Sequence, residues 1–473
     1  MGSYIYFIPM KKIAIMVLLA IFMPGCAGRY GGLRYALNSA GSNRCQLQDV
    51  LDFYADSSWQ KRRAARFLVE NMPAHYSYAD SNRLCYYAMA GNILQSGLTP
   101  EQQRDSMLYL SEQVFQGMEL QTVSDNTIIS SDYLIKNIER AFALKDSCPW
   151  TAHIVFDEFL EYILPYKCVE LQELDAWKDT LWNRYSGGLA SAAYNDVEYG
   201  TAMWAAELLR TEVLDSIGRY GLYDRSGYPL LSAELMTRQT FGDIPDYALL
   251  AASVMRSHGV PVAIDQTPVG ARYEAPTRWF TILDDRCMWQ PSEWDLSTNI
   301  GWGFFPYERG PKVFRLCYSI NPERKQYMSH SIYGYPFDLG VQDVTDRYFL
   351  TSDLNVPVDR KVAHNIVENY AYIASAVRTG KDGIQKGSFR QPMKVRPEPV
   401  GWKIVDFGPM KHGKAFFSKM GREVMYLVLG YDGHGLIPVT DPFILHKDGQ
   451  MEYLSLDTMA FTNNDQWCNN NTF

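Results

Sequence analysis

The stretch FGDIPDYALLAASVMRSHGVPVAID, residues 241–265, has the layout of a helix that presents a nucleophile at its N-terminus. Pro245 suits the first helical turn, Asp246 complements the positive end of the helix dipole, and Gly259 suits a C-terminal cap. A cysteine at such an N-terminus would ionise readily, because free backbone amides and the dipole stabilise a thiolate. The position that this nucleophile would occupy holds Ile244. The stretch therefore has the layout of a nucleophilic site without the nucleophile.

Three other features near this stretch could supply the missing chemistry. Cys287 follows an Asp-Asp turn on an expected strand, where no helix amides would activate its thiol. His258 lies at the other end of the helix and is better explained as a C-terminal capping residue. Asp243 and Asp246 could form a carboxylate pair, but N-terminal capping and dipole complementarity are their expected roles. We therefore predict no catalytic residue among them.

A cluster of aromatic residues offers a binding role instead. Trp279, Trp289, Trp294 and Trp302 fall within a short stretch that follows the helix. Flat aromatic faces are suited to stacking on sugars or on peptide side chains, although core packing is the favoured explanation for most of them. The candidate binding residues are Trp279, Trp289 and Asp246.

Metal and cofactor chemistry is not expected. The chain contains no CxxC and no HExxH motif, and its eight histidines are scattered. We therefore predict no metal site and no cofactor. If Cys26 is modified, seven other cysteines remain, which is an odd number without metal-type spacing, so at least one is free or pairs with a partner.

Length and charge narrow the class of protein further. The 473 residues are 47% hydrophobic, enough to bury large cores, and about two to four domains are expected. The net charge of −8 comes from 45 basic and 53 acidic residues that are mixed along the chain. Phosphate-backbone binding needs a concentrated basic surface, so nucleic acid is not an expected partner.

The N-terminus has the features of an export signal. Lys11 and Lys12 precede an apolar run over 13–23, which is too short to span a bilayer and is followed by Pro24, Gly25 and Cys26. We predict a signal peptide over 1–25 and lipidation of Cys26, which would place the protein in the cell envelope as an outer-membrane lipoprotein. An ordinary signal peptide or an internal helix are the alternatives.

The period of the apolar residues changes along the chain. From residue 47 to about 220 the spacing is helical, as in QLQDVLDFYADSSWQKRRAARFLVENMP and in FDEFLEYILPYK at 156–167. From about residue 260 it alternates, and VPVAI, WFTIL, KVFRLCYSI and EVMYLVLGY are strand candidates. The residues 381–402 suit a loop or hairpin connection. The sequence therefore predicts an α+β protein whose C-terminal third is rich in β-structure.

Several stretches together resemble the transglutaminase-like superfamily, in its large secreted bacterial form. They are AARFLVENMPAHYSY, FDEFLEYILPYK, RSHGVPVAID, KVFRLCYSI, QDVTDRYF and FSKMGREVMYLVLGY. The resemblance implies a helical N-terminal region over 26–200, a papain-like transglutaminase core over 201–330, in which a helix packs on an antiparallel sheet, and a β-sandwich-like region over 331–473.

The family's core motif runs Gly-x-Cys-x-Asp-x-Ala, then Arg-x-x-Gly-Ile-Pro-Val-Ala, His-x-Trp and a later acid. Its scaffold residues match at Gly242, Asp246, Ala248, Arg256, Gly259, Pro261 and Trp279. The nucleophile position falls on Ile244, the histidine position on Thr277, and the acid position near Glu293, with Asp295 beside it. Isoleucine and threonine can neither attack a carbonyl carbon as a thiolate nor shuttle the proton.

The resemblance therefore implies a catalytically inactive protein that binds a peptide, a glycan or an outer-membrane protein and that is held at the membrane by its lipid. An active cysteine-dependent amide hydrolase or transferase with a displaced dyad is the alternative. A scaffold subunit of an envelope assembly, with a vestigial cleft, is a third hypothesis. Loss of either member of a catalytic dyad removes several orders of magnitude of rate, which favours the inactive form.

Overall fold

The structure of the protein is a computed structural model. It describes residues 32–79, 81–111, 121–191, 200–217, 221–222, 230–239, 241–242, 244–269, 277–292, 296, 299–300, 309–324, 339–378 and 400–454. Several predicted features lie outside these residues, namely the signal peptide 1–25, Cys26, Asp243, Glu293, Trp294, Asp295, Trp302 and most of the connection 381–402.

The N-terminal part is helical, as its apolar spacing predicts. Its helices are α1 Leu33–Ser39, α2 Arg44–Phe53, α3 Trp59–Asn71, α4 Asn82–Leu94, α5 Pro100–Tyr109, α6 Ser131–Ser147, α7 Phe156–Tyr162, α8 Trp177–Tyr185 and α9 Gly187–Ser191. Ser58 caps α3 by accepting from the Lys61 amide, and Thr99 forms a capping box with Gln102 at the start of α5. Two short antiparallel strands, β1 Tyr76–Tyr78 and β2 Thr122–Ser124, lie among the helices.

These helices bury a common core. Leu47 from α2, Leu68 from α3 and Phe159 from α7 are fully buried in one cluster. Two members of the cluster, Leu283 and Tyr318, come from the central part of the chain. The helical part is therefore packed on the central sheet by apolar burial, which is the main favourable term in folding.

A long buried helix and an antiparallel sheet form the centre. The helices here are α10 Ala202–Ile217, α11 Ala233–Met236 and α12 Ile244–Ser257, preceded by the short parallel pair β3 Gly221–Leu222 and β4 Phe241–Gly242. The sheet has the order β7-β6-β5-β8-β9 and contains β5 Val262–Thr267, β6 Thr277–Leu283, β7 Trp289–Ser292, β8 Phe314–Leu316 and β9 Val341–Asp343. Helix α12 packs on β5 and β6 and is buried from Asp246 to its end.

The end of α12 follows the prediction closely. Gly259 has a φ of +76°, a left-handed conformation that glycine adopts without strain, and its amide donates to the Arg256 carbonyl. The Val260 amide donates to the Met255 carbonyl over 3.0 Å. The chain then reverses into β5, so that the end of β5 lies towards the N-terminus of α12.

The C-terminal part is one large antiparallel sheet with a short helix, α13 Arg360–Ala363. The strand order is β10-β13-β12-β11-β14-β16-β17, with β15 paired on β14. The strands are β10 Thr351–Pro357, β11 Tyr370–Arg378, β12 Val400–Lys411, β13 Lys414–Gly421, β14 Val424–Tyr431, β15 Leu436–Pro438, β16 Phe443–Leu445 and β17 Met451–Tyr453. Apolar side chains from β10, β13, β14 and β16 share one buried core.

The α+β prediction is confirmed, but several boundaries differ. Strand β8 takes only three residues of the predicted strand KVFRLCYSI, and α7 ends at Tyr162 instead of continuing towards Pro165. The central sheet takes its last strand, β9, from beyond the predicted domain boundary at 330, because β9 pairs with β8. Arg378 at the end of β11 pairs with Val400 at the start of β12, so residues 400–402 of the predicted connection belong to a strand instead.

One buried ion pair ties the middle of the central sheet together. Arg315 donates from Nε and Nη2 to both carboxylate oxygens of Asp265, each over 2.8 Å, and both side chains are at most 1% exposed. The two residues face each other directly across β5 and β8. Tyr348 donates a further hydrogen bond to Asp265 over 2.6 Å. The pair is bidentate and fully desolvated, so the removal of either partner leaves a buried charge uncompensated.

We predict that Arg315→Met lowers the free energy of unfolding by about 3–5 kcal/mol, since breaking a buried pair from one side has that typical effect. Arg66→Met is the control, because Arg66 and Glu70 form an exposed pair on one helix and such pairs contribute less than about 1 kcal/mol. Denaturant unfolding of both variants measures the difference. Equal losses in the two variants would contradict the structural role given to Arg315.

Candidate functional site

The structure places the predicted catalytic positions at one end of the core. Ile244 is the first residue of α12, and Thr277 is the first residue of β6, opposite Thr267 at the end of β5. Because β5 runs back along α12, this end of the sheet is the end at which the helix begins. Strand β7 runs antiparallel to β6 and ends at Ser292, so the chain also returns to this end before Glu293.

The side chains around the start of α12 are packed closely. Asp246 is 4% exposed, and Gln239, which donates to the Phe241 carbonyl, is also buried. A Cβ at Gly242 would lie 3.0 Å from Gln239 Nε2 and 3.2 Å from Asp246 Oδ2, which explains the glycine at this position. The candidate binding residue Asp246 therefore takes part in packing at the helix N-terminus and offers little surface to a ligand.

The two described tryptophans of the aromatic cluster are engaged within the protein. Trp279 is fully buried, and its indole N–H donates to the Tyr348 hydroxyl over 3.0 Å. Trp289 is partly buried, with the Arg315 guanidinium 3.8 Å from its ring centroid and the Tyr162 ring edge-on at 4.7 Å. For Trp279 this geometry favours the packing explanation over the binding role, because no ring face remains accessible for stacking.

In the part of the chain that the structure describes, no cysteine thiol is hydrogen-bonded to a histidine. The free thiols are those of Cys45, Cys85, Cys148, Cys168, Cys287 and Cys317. Burial raises the pKa of Cys148 to about 11 and also raises the pKa of Cys317. Both thiols therefore stay protonated at neutral pH, which makes them poor nucleophiles.

The predictions for Cys287 and His258 have different outcomes. The strand predicted at Cys287 is wrong, because this residue lies in the turn between Asp284 and Met288 with a φ of +58°. The capping role of His258 agrees with the structure, since its Nδ1 lies 2.8 Å from the Val254 carbonyl at the end of α12. Burial lowers the pKa of His258 to about 4, so the ring is neutral and stacks on Trp182.

A cavity lies towards the other end of α12. It is bounded by the chain after α7, by Arg256 near the end of α12, and by the residues that follow β8. The volume open to the centre of a water molecule is about 30 Å³, or roughly two water-sized spheres. The polar side chains that line it are His75, Lys167, Cys168, Glu170, Arg256 and Cys317.

One wall of the cavity rests on a buried ionic network. Lys167 Nζ lies 2.5 Å from Asp125 Oδ2, and the two side chains are at most 2% exposed. Asp125 also accepts hydrogen bonds from Ser77 Oγ over 2.6 Å and from the Tyr166 hydroxyl over 2.8 Å. Lys167 completes its donations at the Tyr76 carbonyl. Every charge in this network is therefore paired, as low-dielectric burial requires.

A second pair, His75 and Glu170, lines the same cavity. His75 Nδ1 lies 2.5 Å from Glu170 Oε1, Nε2 lies 2.9 Å from the Tyr318 carbonyl, and the ring stacks on Tyr318 at 4.2 Å. Burial alone would lower the pKa of His75, but the Glu170 carboxylate outweighs burial and raises it. Burial would raise the pKa of Glu170, but His75 and Lys167 lower it. The pair is thus held in its charged form.

Sequence reasoning identified Arg256 only as a scaffold match and missed His75, Lys167 and Glu170 as site residues. His75 follows α3, Lys167 and Glu170 follow α7, and Arg256 lies in α12, so no short spacing links all of them. The adjacent KCVE segment that contains Lys167, Cys168 and Glu170 is the one local signal, because charged residues beside a cysteine are unusual in a buried segment.

Comparison of the chain with protein families, with curated proteins and with solved structures finds no match. Among the described residues, no group of three or more histidine, cysteine, aspartate and glutamate side chains is placed to hold a metal ion. The helices within the described ranges are too short or too polar to cross a bilayer. The geometry of the two ends of α12 is therefore the basis for any functional assignment.

We predict that the contribution of His75 to stability depends on pH. The pKa of His75 in the folded state is raised above its ordinary 6.5, so its stabilising effect is complete below about pH 6.5 and is lost as the pH rises through the folded value. The pKa of Glu170 is lowered from 4.5, so its stabilising effect is complete above about pH 4.5 and is lost as the pH falls through the folded value.

The measurement compares the free energy of unfolding of the unmodified protein with that of His75→Gln at pH 6 and at pH 8.5. The destabilisation should be greater at pH 6. His446→Gln is the control, because His446 forms an exposed pair with Glu452 and should change stability little at either pH. A His75→Gln effect that grows with pH would contradict the charged pair.

Proposed function

We propose that this protein is a catalytically inactive member of the transglutaminase-like superfamily that binds a peptide, a glycan or an envelope partner. The observation that carries this proposal is the position of Ile244 at the start of a buried helix and of Thr277 at the start of the strand that packs on it. The arrangement of a helix followed by an antiparallel β5–β6–β7 meander supports the assignment, because the residues of the family motif fall on it in order.

The loss of catalysis follows from the chemistry of these two side chains. A thiolate at a helix N-terminus attacks a carbonyl carbon, and a facing imidazole takes and returns the proton. Isoleucine has no lone pair to donate, and the threonine hydroxyl is not a base near neutral pH. Two of the described thiols are poorly suited to replace them, since burial raises the pKa values of Cys148 and Cys317.

Export and lipid anchoring belong to the same proposal. The basic pair, the short apolar run and Cys26 support a lipoprotein of the cell envelope, anchored in the outer membrane. A protein in that location would meet envelope peptides, glycans and proteins as its ligands. Mass spectrometry of the protein isolated from its native membrane tests this step. A lipid on Cys26 at the mature N-terminus is the expected result, and retention of residues 1–25 would contradict it.

The absence of activity is tested with the purified full chain. We expect no incorporation of a primary amine into a protein substrate and no hydrolysis of amide bonds above the level seen after all thiols are blocked. Cysteine-dependent turnover that disappears when one cysteine is substituted would contradict the proposal and would support the displaced-dyad alternative. Failure to bind peptide or glycan fragments, with co-purification of outer-membrane proteins, would favour a scaffold role.

The position of Ile244 is tested by Ile244→Cys. A thiol at the start of α12 should have a depressed pKa, because the helix amides stabilise its thiolate. At a pH below the pKa, lowering the pKa by one unit increases the thiolate fraction about tenfold. We expect iodoacetamide at pH 6 to label this thiol about ten times faster than the exposed Cys45. Peptide mapping of the labelled protein measures the two rates.

Two controls make the labelling decisive. The unmodified protein should show no cysteine that is selectively labelled at pH 6, whereas Cys45, Cys85 and Cys287 should all react at pH 8 because they are exposed. Equal labelling rates for Ile244→Cys and Cys45 at pH 6 would show that the start of α12 does not provide a nucleophile position, and the family assignment would lose its main support.

A further inference from the structure

Among the described residues that line the cavity near the end of α12, Arg256 is a buried cation without an ion-pair partner. Arg256 is 3% exposed and lines the cavity. Its Nε donates to the Val262 carbonyl over 3.0 Å, and its Nη1 donates to the Lys167 carbonyl over a long 3.4 Å. Within the described ranges, Nη2 donates to no protein acceptor and no carboxylate lies within ion-pair distance of the guanidinium. A buried guanidinium in this state needs a partner in the cavity, and an anion satisfies both its charge and its free N–H groups, whereas water satisfies only the latter.

The carboxylates nearest to the cavity are already engaged. Glu170 is held by His75 and by the Tyr76 amide, and Asp125 is held by Lys167. Glu161 accepts hydrogen bonds from the amides of the chain after β8. Among the charged side chains that line the cavity, Arg256 is therefore the one without an ion-pair partner in the described residues.

Other buried groups on this side of α12 are also cationic. Lys178 donates to the Ile163 and Leu164 carbonyls and has no carboxylate partner in the described part of the chain. Burial lowers the pKa of Lys178 to about 7, and the positive charges of Arg256 and Arg140 lower it further. Arg256 and Lys178 therefore repel each other when both are charged, and an anion beside Arg256 would relieve this repulsion.

Arg315 has the carboxylate partner that the described residues do not provide for Arg256. Arg315 is buried to the same degree, but two oxygens of Asp265 meet its guanidinium in a bidentate geometry. Arg256 has the same donor chemistry and faces a cavity instead of a carboxylate. The cavity has room for roughly two water-sized spheres, which suits one planar carboxylate group but not a bulkier head group.

We propose that Arg256 binds a carboxylate group in this cavity, from either a small organic acid or the C-terminus of a peptide. The site is separate from the start of α12, where Ile244 and Thr277 lie, and it does not depend on the proposed loss of catalysis. A bound carboxylate accepts hydrogen bonds from Nη2 and from the second N–H of Nη1, so that the guanidinium becomes fully partnered.

The test uses the full chain and measures thermal unfolding in sodium acetate, sodium chloride and sodium phosphate at equal ionic strength. We expect a saturable rise in Tm with acetate alone, because a ligand that binds only the folded state stabilises it. Calorimetric titration should show that Arg256→Gln weakens acetate binding by at least about tenfold, the usual effect of losing a hydrogen bond to a charged group.

Two further variants guard against a general loss of structure. Val169→Met fills the cavity while Arg256 stays in place, and it should also abolish acetate binding. Arg238→Gln removes an exposed arginine that pairs with Glu234, and it should leave acetate binding unchanged. If Arg256→Gln does not fold, the Val169→Met result decides the matter by itself.

Two peptides distinguish the possible sources of the carboxylate. One is a short peptide with a free C-terminus, and the other is the same peptide with a C-terminal amide. Tighter binding of the free-terminus peptide than of acetate, with no binding of the amide, assigns a peptide ligand. Binding of acetate without binding of either peptide assigns a small organic acid. The proposal is overturned if acetate acts no differently from chloride, if phosphate binds more tightly than acetate, or if Val169→Met binds acetate normally.

Discussion

The pairing of Asp265 with Arg315 is the interaction on which the central part of the molecule depends. It joins the strand that follows α12 to a strand that arrives after a long excursion of the chain, and both charges are fully buried. Trp279 and Tyr348 complete the arrangement, since Tyr348 bonds both Asp265 and the Trp279 indole. An error in the register of β8 would leave two buried charges unpaired, so the pair also specifies the register of the sheet.

Further contacts extend from this sheet to both neighbouring parts of the protein. Tyr318, just after β8, donates to the Leu68 carbonyl in the helical part and stacks on His75. Lys312, just before β8, lies 2.5 Å from Asp343 in β9 and 2.9 Å from Asp406 in the C-terminal sheet. The helical part, the central sheet and the C-terminal sheet therefore meet at strand β8, and the cavity lies beside this strand.

The two ends of α12 differ in chemistry. At its start, where free amides could stabilise an anion, the chain presents Ile244 and closely packed side chains. Near its end, Arg256 faces a cavity that is bounded by paired charges. A helix that is buried along nearly its whole length can hold groups at both ends precisely, because its side chains are fixed by packing. The proposed functions at the two ends are therefore structurally independent.

The sequence by itself determined the local features: helix α12 with its glycine end, the alternating strands β5, β6 and β14, and the α+β class. These features follow from the period of apolar residues, which is 3.6 in helices and 2 in strands, and from the capping residues. Both patterns involve residues that are close together in the chain. Only the tertiary structure decided which polar residues meet. Asp265 and Arg315 are 50 residues apart, and His75 and Glu170 are 95 apart. Such pairs depend on packing between distant elements, and no local pattern encodes that packing.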